Sequence, residues 1–327
     1  MKKRYILGGV AAAACLGLYG LNASWLAPAP SGKPLLLAHR GVYQRYDRTG
    51  LTPQTCTADR ILPPTNSYLE NTLPSMKASL DAGADVIELD VHPTTDGQFA
   101  VFHDWTLECR TDGHGTTRDH TMAELKQLDI GYGYTADGGK TFPFRGKFKG
   151  MMPTLQEALT AFPDTHFLIN IKSNDPTEAD RLVTYLNAYK LMSDRLSVYG
   201  GERPMARFAV IAPQLRPFGK TSVKACALSY LALGWSGNMP KACRNTVMVL
   251  PQNATWLAWG YPNRLQDRFA RAGSYIYLLG PQTSMNGLQG MVSPDQLNQV
   301  PKSWRMGIWT DEIETVGPAM KLAARQP

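Results

Sequence analysis

Short apolar runs that end in polar or charged residues recur along the chain, and they predict buried strands separated by amphipathic helices. The predicted strands are Leu35–Ala38, Asp85–Val91, Phe99–His103, His166–Ile171, Arg207–Ala212, Thr246–Leu250, Ser274–Leu279 and Arg305–Trp309. The predicted helices are Asn71–Ala82, Met122–Leu128, Thr154–Phe162, Glu178–Leu191 and Glu312–Ala324. Strands that alternate with helices form parallel βαβ units. The number of strands in 327 residues favours a closed (β/α)8 TIM barrel, an α/β fold with one domain.

The N-terminus has the pattern of an export signal. Basic residues 2–4 precede an apolar stretch, residues 5–21, and no charge returns before Lys33. We therefore expect residues 1–28 to be a signal peptide or a membrane anchor, and the remaining residues 33–327 to form the exported barrel. Both fates of the segment stay open, because a large leucine precedes Ala23 at the candidate cleavage point. The expected location is the periplasm or the outer face of the cytoplasmic membrane.

Five cysteines agree with export. Once Cys15 in the apolar stretch is set aside, four remain, which is enough for two disulfides. Cys226 with Cys243 is the natural local pair, and this choice leaves Cys56 with Cys109. The alternative is that some of them are buried thiols. The chain has no CxxC motif and hence no support for a zinc site.

The formal net charge of +7 favours anionic partners such as phosphate esters. Lysine and arginine are scattered, however, and are not interleaved with aromatic residues in a stripe. We therefore expect no nucleic-acid partner.

Polar side chains gather where the first two predicted strands end, which is the active-site end of a parallel barrel. His39 and Arg40 close the first strand. Glu88 and Asp90 lie two apart on the second strand and so share one face. Two carboxylates on one face repel each other unless a cation lies between them, and this pair predicts Ca²⁺ or Mg²⁺. The alternative is a plain polar stripe, which an apolar strand disfavours.

Two further strand ends carry candidate chemistry. His103 closes the strand that begins at Phe99, so with His39 the sequence offers two strand-end histidines as general acid and base. Asn170 and Lys172 close another strand on a shared face. Lys172 and Arg40 are candidates for holding a phosphate.

These motifs together resemble the glycerophosphodiester phosphodiesterase family. The matching stretches are LLLAHRG (residues 35–41), ENTLPSMKASLDAGADVIELDVHPTTDGQFAVFHD (70–104), PTLQEAL (153–159), FLINIKS (167–173) and GIWTDE (307–312). The resemblance implies a TIM barrel that hydrolyses glycerophosphodiesters to glycerol 3-phosphate and an alcohol. The expected partner is a small-molecule or lysolipid glycerophosphodiester, with membrane anchoring through the N-terminus as a further expectation.

The resemblance also implies a role for each matching residue. It implies His39 and His103 as the catalytic acid–base pair, Glu88 and Asp90 as metal carboxylates, Arg40 and Lys172 as phosphate contacts, Glu70 as an acidic residue near the metal and the arginine, and Trp309 as the wall of the glycerol site.

Two departures from the family pattern matter. Members usually carry glutamate as a third metal ligand where this chain has Asn170, so we expect weaker metal binding through the amide oxygen, or compensation by Glu70. The second departure is an insertion at about residues 43–69, where members are usually shorter. We expect this insertion to act as a lid or a specificity loop, with Cys56 stapled to Cys109.

Three questions stay open at the level of the sequence. The attacking oxygen is either water or the glycerol 2-hydroxyl of the substrate, and either histidine could be the acid. A lyase of the sphingomyelinase D type would leave a cyclic phosphate as its end product. A catalytically weakened chain would bind phosphodiesters in the envelope without turnover.

Overall fold

The structure, a computed structural model, describes residues 2–52, 55–282 and 289–323. The chain divides into two compact units. The larger unit contains Leu36–Gly219 and Thr310–Pro327, and the smaller unit contains Met1–Leu35 and Lys220–Trp309.

Strands and helices alternate along most of the chain. The strands are β1 (Leu36–His39), β2 (Val86–Pro93), β3 (Phe99–Val101), β4 (His166–Ile171), β5 (Leu196–Gly200), β6 (Phe218–Gly219), β7 (Val247–Pro251), β8 (Tyr275–Leu279) and β9 (Gly307–Thr310). The helices are α1 (Lys2–Asn22), α2 (Leu73–Ala82), α3 (Met122–Leu125), α4 (Leu155–Ala161), α5 (Thr177–Ala188), α6 (Glu202–Ile211), α7 (Lys220–Leu233), α8 (Asn263–Arg271), α9 (Pro294–Asn298) and α10 (Ile313–Ala323).

All but one of these strands run parallel. In the larger unit the strand order is β6-β5-β4-β2-β1, and in the smaller unit it is β7-β8-β9. The exception is β3, which pairs antiparallel with β2. The described residues thus supply eight parallel strands with intervening helices, as the (β/α)8 class requires. The predicted fold class is confirmed.

Local sequence fixes the helices that border the site. Thr72 caps α2 by accepting a hydrogen bond from the Ser75 backbone, and Gly83 ends that helix in the left-handed region. Thr154 and Glu157 form a capping box at the start of α4. These start and stop signals are short-range, which explains why the sequence alone located both helices.

The alternation along β2 separates the core from the chemistry. Ile87, Leu89 and Val91 are buried in an apolar cluster that also contains α5 residues such as Leu182. Because neighbouring strand residues point to opposite faces, the intervening acidic residues are directed away from that cluster. This alternation agrees with the shared face predicted for Glu88 and Asp90.

One predicted strand is wrong, and another is present but pairs differently from a barrel strand. Arg207–Ala212 belongs mainly to helix α6, because Met205 and Phe208 lie three apart and bury one helical face while Val210 is exposed. The segment that begins at Phe99 forms β3, an antiparallel partner of β2 instead of a barrel strand. Strands β5 and β6 were not predicted, and β6 has only two residues.

Both predicted disulfides are present. Cys56 is bonded to Cys109 in the larger unit, and Cys226 is bonded to Cys243 in the smaller unit. As for the N-terminal segment, α1 is helical over 21 residues. No helix within the described ranges is both long and apolar enough to cross a bilayer.

Candidate active site

His39 is the last residue of β1, and two carboxylates face its ring. Its Nδ1 lies 2.9 Å from Asp311 Oδ1, and its Nε2 lies 3.8 Å from Glu88 Oε2. Burial alone would raise the pKa of Asp311, but His39 and Arg48 lower that pKa to about 2. Asp311 is therefore a carboxylate at neutral pH, and it holds the hydrogen of the His39 ring on Nδ1.

His103 forms a second histidine–carboxylate pair. Its Nδ1 lies 2.6 Å from Asp104 Oδ1, and the other oxygen of Asp104 accepts a hydrogen bond from Arg110 Nε at 2.8 Å. Burial, together with the charges of Arg40 and Lys172, lowers the pKa of His103 to about 4. The ring is neutral at pH 7, and because Nδ1 donates to Asp104, the lone pair is on Nε2.

Glu88 and Asp90 share the polar face of β2 and are fully buried. Glu88 accepts hydrogen bonds from Tyr199 OH at 2.6 Å and from the Arg40 backbone at 3.2 Å. Burial and the charge of Asp90 raise the pKa of Glu88. Burial would also raise the pKa of Asp90, but Lys172 and Arg40 hold it well below its usual range. Asp90 is therefore the carboxylate of the pair that keeps its negative charge, whereas burial favours the protonated form of Glu88.

Asp90 is the centre of a polar cluster. Its Oδ1 accepts hydrogen bonds from Asn170 at 2.8 Å and from Lys172 at 3.2 Å. Its Oδ2 accepts a hydrogen bond from Asn71 at 3.0 Å and lies 3.2 Å from Arg40 Nε. Both basic residues predicted to hold a phosphate are thus fixed by one carboxylate.

The backbone around Arg40 explains the His-Arg-Gly motif. Arg40 and Gly41 have φ angles of 60° and 78°, in the left-handed region. A Cβ on Gly41 would lie 2.7 Å from Ser75 Oγ, so the close approach of α2 also requires glycine. The left-handed backbone conformation of Arg40 is locally strained, which is typical of functional positions. This turn aims its guanidinium at Asp90 and at Glu70, whose Oε1 is 3.0 Å from Nη1.

The predicted roles of Glu70 in metal binding and of Trp309 in glycerol binding stay predictions, and the structure shows the surroundings of both residues. Glu70 lies between Arg40 and Arg110, and these cations lower its pKa although burial opposes them. Glu70 is thus an ion-pair partner whose oxygens are already engaged. Trp309 is buried on β9 of the smaller unit, with its ring edge-on to Tyr277 at 6.0 Å between centroids. Its role in glycerol binding stays a prediction.

The insertion packs within the larger unit and contributes one residue to the site. Ala58, Ile61 and Leu69 are buried in an apolar cluster with residues that follow β3. Arg48 Nη2 lies 2.9 Å from Asp311 Oδ2, the carboxylate that orients His39. Through Arg48, the insertion therefore contacts the carboxylate that is paired with His39.

The chemistry of the donor set fits a hard divalent cation only in part. Glu88 and Asp90 supply buried carboxylates whose mutual repulsion a cation would relieve, and Asn170 adds an amide oxygen. Among the described residues, no group of three or more histidine, cysteine, aspartate or glutamate side chains has a geometry that could hold a metal. A cation here would depend on two carboxylates and one amide.

Several residues of the site were missed by the sequence analysis. Asp311 and Arg48 complete the environment of His39, Arg110 supports Asp104, and Tyr199 on β5 donates to Glu88. Asp311 has the one recognisable signal, an acidic residue directly after a buried late strand. The others depend on contacts between distant segments.

Comparison with known proteins gives one family. Residues 39–209 match the model of the glycerophosphoryl diester phosphodiesterase family. A glycerophosphodiester phosphodiesterase of Caldanaerobacter subterraneus subsp. tengcongensis is 40% identical over 104 residues, which are 32% of this chain and 39% of that protein. One from Bacillus subtilis is 35% identical over 129 residues, 38% of this chain and 43% of that protein. The chain thus spans about two fifths of the length of these curated relatives.

Solved structures share the fold at low identity. A glycerophosphoryl diester phosphodiesterase domain from Mycobacterium tuberculosis is 18% identical with a TM-score of 0.61, covering 89% of this chain and 100% of that one. A phosphodiesterase from Oleispira antarctica, solved in complex with the product sn-glycerol-3-phosphate, is 18% identical with a TM-score of 0.54. It covers 88% of this chain and 97% of that one.

Proposed function

Because the chain belongs to the glycerophosphoryl diester phosphodiesterase family, we propose that it is a phosphoric diester hydrolase acting on glycerophosphodiesters. Its products would be glycerol 3-phosphate and an alcohol. The observation that carries the proposal is the pair of histidines, each held at Nδ1 by a buried or half-buried carboxylate, next to two basic residues fixed on Asp90.

The surroundings of the two histidines support different roles. His103 is neutral at pH 7 with its lone pair on Nε2, which is the form of a general base. Asp311 lies 2.9 Å from Nδ1 of His39 and Glu88 lies 3.8 Å from its Nε2. This geometry fixes the ring in the orientation that a residue delivering a proton from Nε2 needs. We therefore assign His103 to remove the proton of the attacking oxygen. His39 then donates the proton of Nε2 to the departing alkoxide as the phosphorus–oxygen bond breaks.

The basic residues would neutralise the phosphate. Arg40 and Lys172 are both fixed on Asp90, so their remaining N–H groups are preorganised for the non-bridging phosphate oxygens. Charge that develops on these oxygens in the transition state is stabilised without reorganisation of the side chains. This holds whether the attacking group is water or the glycerol 2-hydroxyl.

We also propose that hydrolysis depends on Ca²⁺ or Mg²⁺, held by Glu88 and Asp90 with the amide oxygen of Asn170. When bound, the cation would act as a Lewis acid on the phosphoryl group. With one carboxylate fewer than the usual family set, we expect this affinity to be weak. The donor set supports a hard cation because all its donors are oxygen atoms.

Export is the proposed location, to the periplasm or the outer face of the cytoplasmic membrane. Basic residues 2–4 followed by an apolar stretch support it. So do the disulfides Cys56–Cys109 and Cys226–Cys243, since such bonds persist in oxidising compartments.

The test is glycerol 3-phosphate release from glycerophosphocholine with Ca²⁺, with Mg²⁺ or with chelator. The variants are His39→Ala and His103→Ala, and the matched control is His166→Ala, an exposed histidine at the first residue of β4. We expect metal-dependent release that both site variants lose and the control retains. Phosphorus NMR of the products would reveal a cyclic phosphate, and its accumulation as end product would replace hydrolysis with the lyase reaction. A folded chain without turnover under any metal would contradict the proposal.

A further inference from the structure

The smaller unit has large apolar side chains on its surface. Leu228, Leu231 and Trp235 lie along one side of α7 and the turn after it, at spacings of three and four residues. Trp256, in the turn after β7, is 79% exposed, and Trp25, in the turn after α1, is 71% exposed. We call these five residues the aromatic surface. Exposed apolar groups of this size mark interaction sites when they are contiguous.

Hydrogen bonds join the segments that carry the aromatic surface. Trp259, which follows the Trp256 turn, donates through Nε1 to the Leu231 carbonyl at 2.9 Å. Asn22, the last residue of α1, donates to the Trp235 carbonyl at 2.7 Å. The turn after β7, the end of α7 and the end of α1 therefore meet on this unit.

A basic cavity of about 290 Å³ opens beside the end of α1. It is lined by Leu21 and by four arginines with a single acidic residue among them, namely Arg244, Arg264, Arg268, Arg271 and Asp267. We call it the arginine pocket. Its arginines have different roles. Arg268 is buried and donates to the carbonyls of Leu21 at 2.8 Å and Gly234 at 2.9 Å, so it is structural.

The other three arginines make fewer hydrogen bonds within the chain than Arg268 does. Arg244 is exposed and makes one long hydrogen bond, 3.3 Å to the Met239 carbonyl. Arg271 is exposed and pairs with Asp267 on its own helix. Within the described part of the chain, the buried Nε of Arg264 has no hydrogen-bond partner. Four guanidinium groups against one carboxylate give the pocket a positive field suited to a phosphate.

We propose that the aromatic surface and the arginine pocket together dock this chain on the surface of an anionic phospholipid bilayer, with a lipid phosphate in the pocket. Tryptophan is the side chain that favours the boundary between headgroups and acyl chains, because its ring is apolar and its N–H is polar. Arginine pockets beside such a boundary bind anionic headgroups. The surface is also continuous with α1, whose sequence is basic at its start and apolar along most of its length.

A second copy of the chain is a poorer occupant than a bilayer. A twofold dimer would place the same surface on both subunits and bring two arginine pockets close together. The like charges would then repel, whereas an anionic bilayer complements them. The inference does not depend on the proposed hydrolysis, since vesicle binding is measured without turnover.

The experiment is co-sedimentation of the full chain with phosphatidylcholine vesicles, with and without phosphatidylglycerol. We expect preference for the anionic vesicles. Neutralising Arg244 and Arg271 to glutamine should lower that affinity about fivefold for each arginine. The double variant Trp235→Ala/Trp256→Ala should lower it about tenfold. Matched controls in the larger unit are Arg203→Gln and Val210→Ala, both exposed on α6.

Other results would contradict the proposal in different ways. Equal sedimentation of the variants and the wild type would overturn the proposal, because α1 alone would then hold the chain on vesicles. Binding without any preference for phosphatidylglycerol would overturn the arginine pocket as a headgroup site. A dimer that Leu228→Asp dissociates, in a chain that ignores vesicles, would identify the surface as a contact between copies. Turnover of water-soluble glycerophosphocholine should stay at the wild-type rate in all these variants, so failure here is distinct from failure of the proposed activity.

Discussion

Replacing Asp104 with asparagine tests the assignment of His103 as general base. The carboxylate of Asp104 accepts the Nδ1 hydrogen of His103 at 2.6 Å, which leaves the lone pair on Nε2. An asparagine can present its amide N–H to Nδ1, and the ring hydrogen then moves to Nε2. The ring would keep its place but lose the lone pair that accepts the proton of the attacking oxygen.

The expected loss follows from the size of these contributions. A hydrogen bond to a charged group contributes about 1.5–3 kcal/mol, which is about 10- to 150-fold in rate. Complete loss of general-base catalysis costs about 10²- to 10⁴-fold. We expect kcat to fall within the second range while KM stays near the wild-type value, because the phosphate contacts on Asp90 are unchanged. Arg110 retains its ion pair with Glu70, so the fold should persist.

A pH profile separates this explanation from a simple pKa effect. The hydrogen bond that His103 donates to Asp104 raises the pKa of His103, so loss of this bond lowers that pKa further below about 4. The variant ring would therefore be neutral throughout the neutral range, and no pH in that range should restore the rate. The assay is glycerol 3-phosphate release across pH, with Asp164→Asn, an exposed aspartate of the larger unit, as control. A variant kcat within about threefold of wild type, or recovery at some pH, would refute the reasoning, since base catalysis is worth at least about 10²-fold.

Three other changes test separate parts of the structure. Arg48→Ala removes one cation from Asp311, whose folded-state pKa of about 2 lies below the ordinary 3.8. Because this pKa is depressed, Asp311 contributes about 2 kcal/mol to the free energy of unfolding above pH 4, and this contribution is lost as the pH falls towards 2. Acid unfolding, followed by circular dichroism, should therefore begin at higher pH in the variant. Asn170→Glu adds a third carboxylate and should tighten Ca²⁺ binding at least about tenfold in calorimetry; unchanged affinity would remove Asn170 from the ligand set. Cys56→Ser/Cys109→Ser opens a 53-residue loop and should cost about 4 kcal/mol of stability, seen as a lower Tm in calorimetry.

Elements with strong local signals were predictable. The strand His166–Ile171 matches the structure at both ends, and α2 ends at the predicted Ala82 and begins two residues after the predicted start. The segment Arg207–Ala212 was predicted as a strand because a short apolar run has no unique period. Only the burial of Phe208 in the core of the larger unit shows that the segment is helical. Strand β6 has two residues, too few for any pattern to form.

The site residues also differ in whether a local sequence signal could locate them. His39 and Asp90 could be located because strand ends in a parallel sheet gather at one edge. Asp311 could not be assigned to His39, since 272 residues separate them and only the fold brings them together. Arg48 lies in the insertion, where sequence indicated a lid and gave no reason to expect an ion pair.

The register between β2 and β4 gives Asn170 a consequence beyond one missing ligand. Asp90 and Asn170 are direct partners across these strands, and the Asn170 amide donates to Asp90 at 2.8 Å. A glutamate at this position would place a third carboxylate beside the buried pair of Glu88 and Asp90, and such a set is stable only with a cation. The amide instead supplies a donor, so Arg40 and Lys172 can balance the charge of Asp90 without a metal. We therefore expect the charge of Asp90 to be neutralised mainly by Arg40 and Lys172, so stability of the fold should not require a metal.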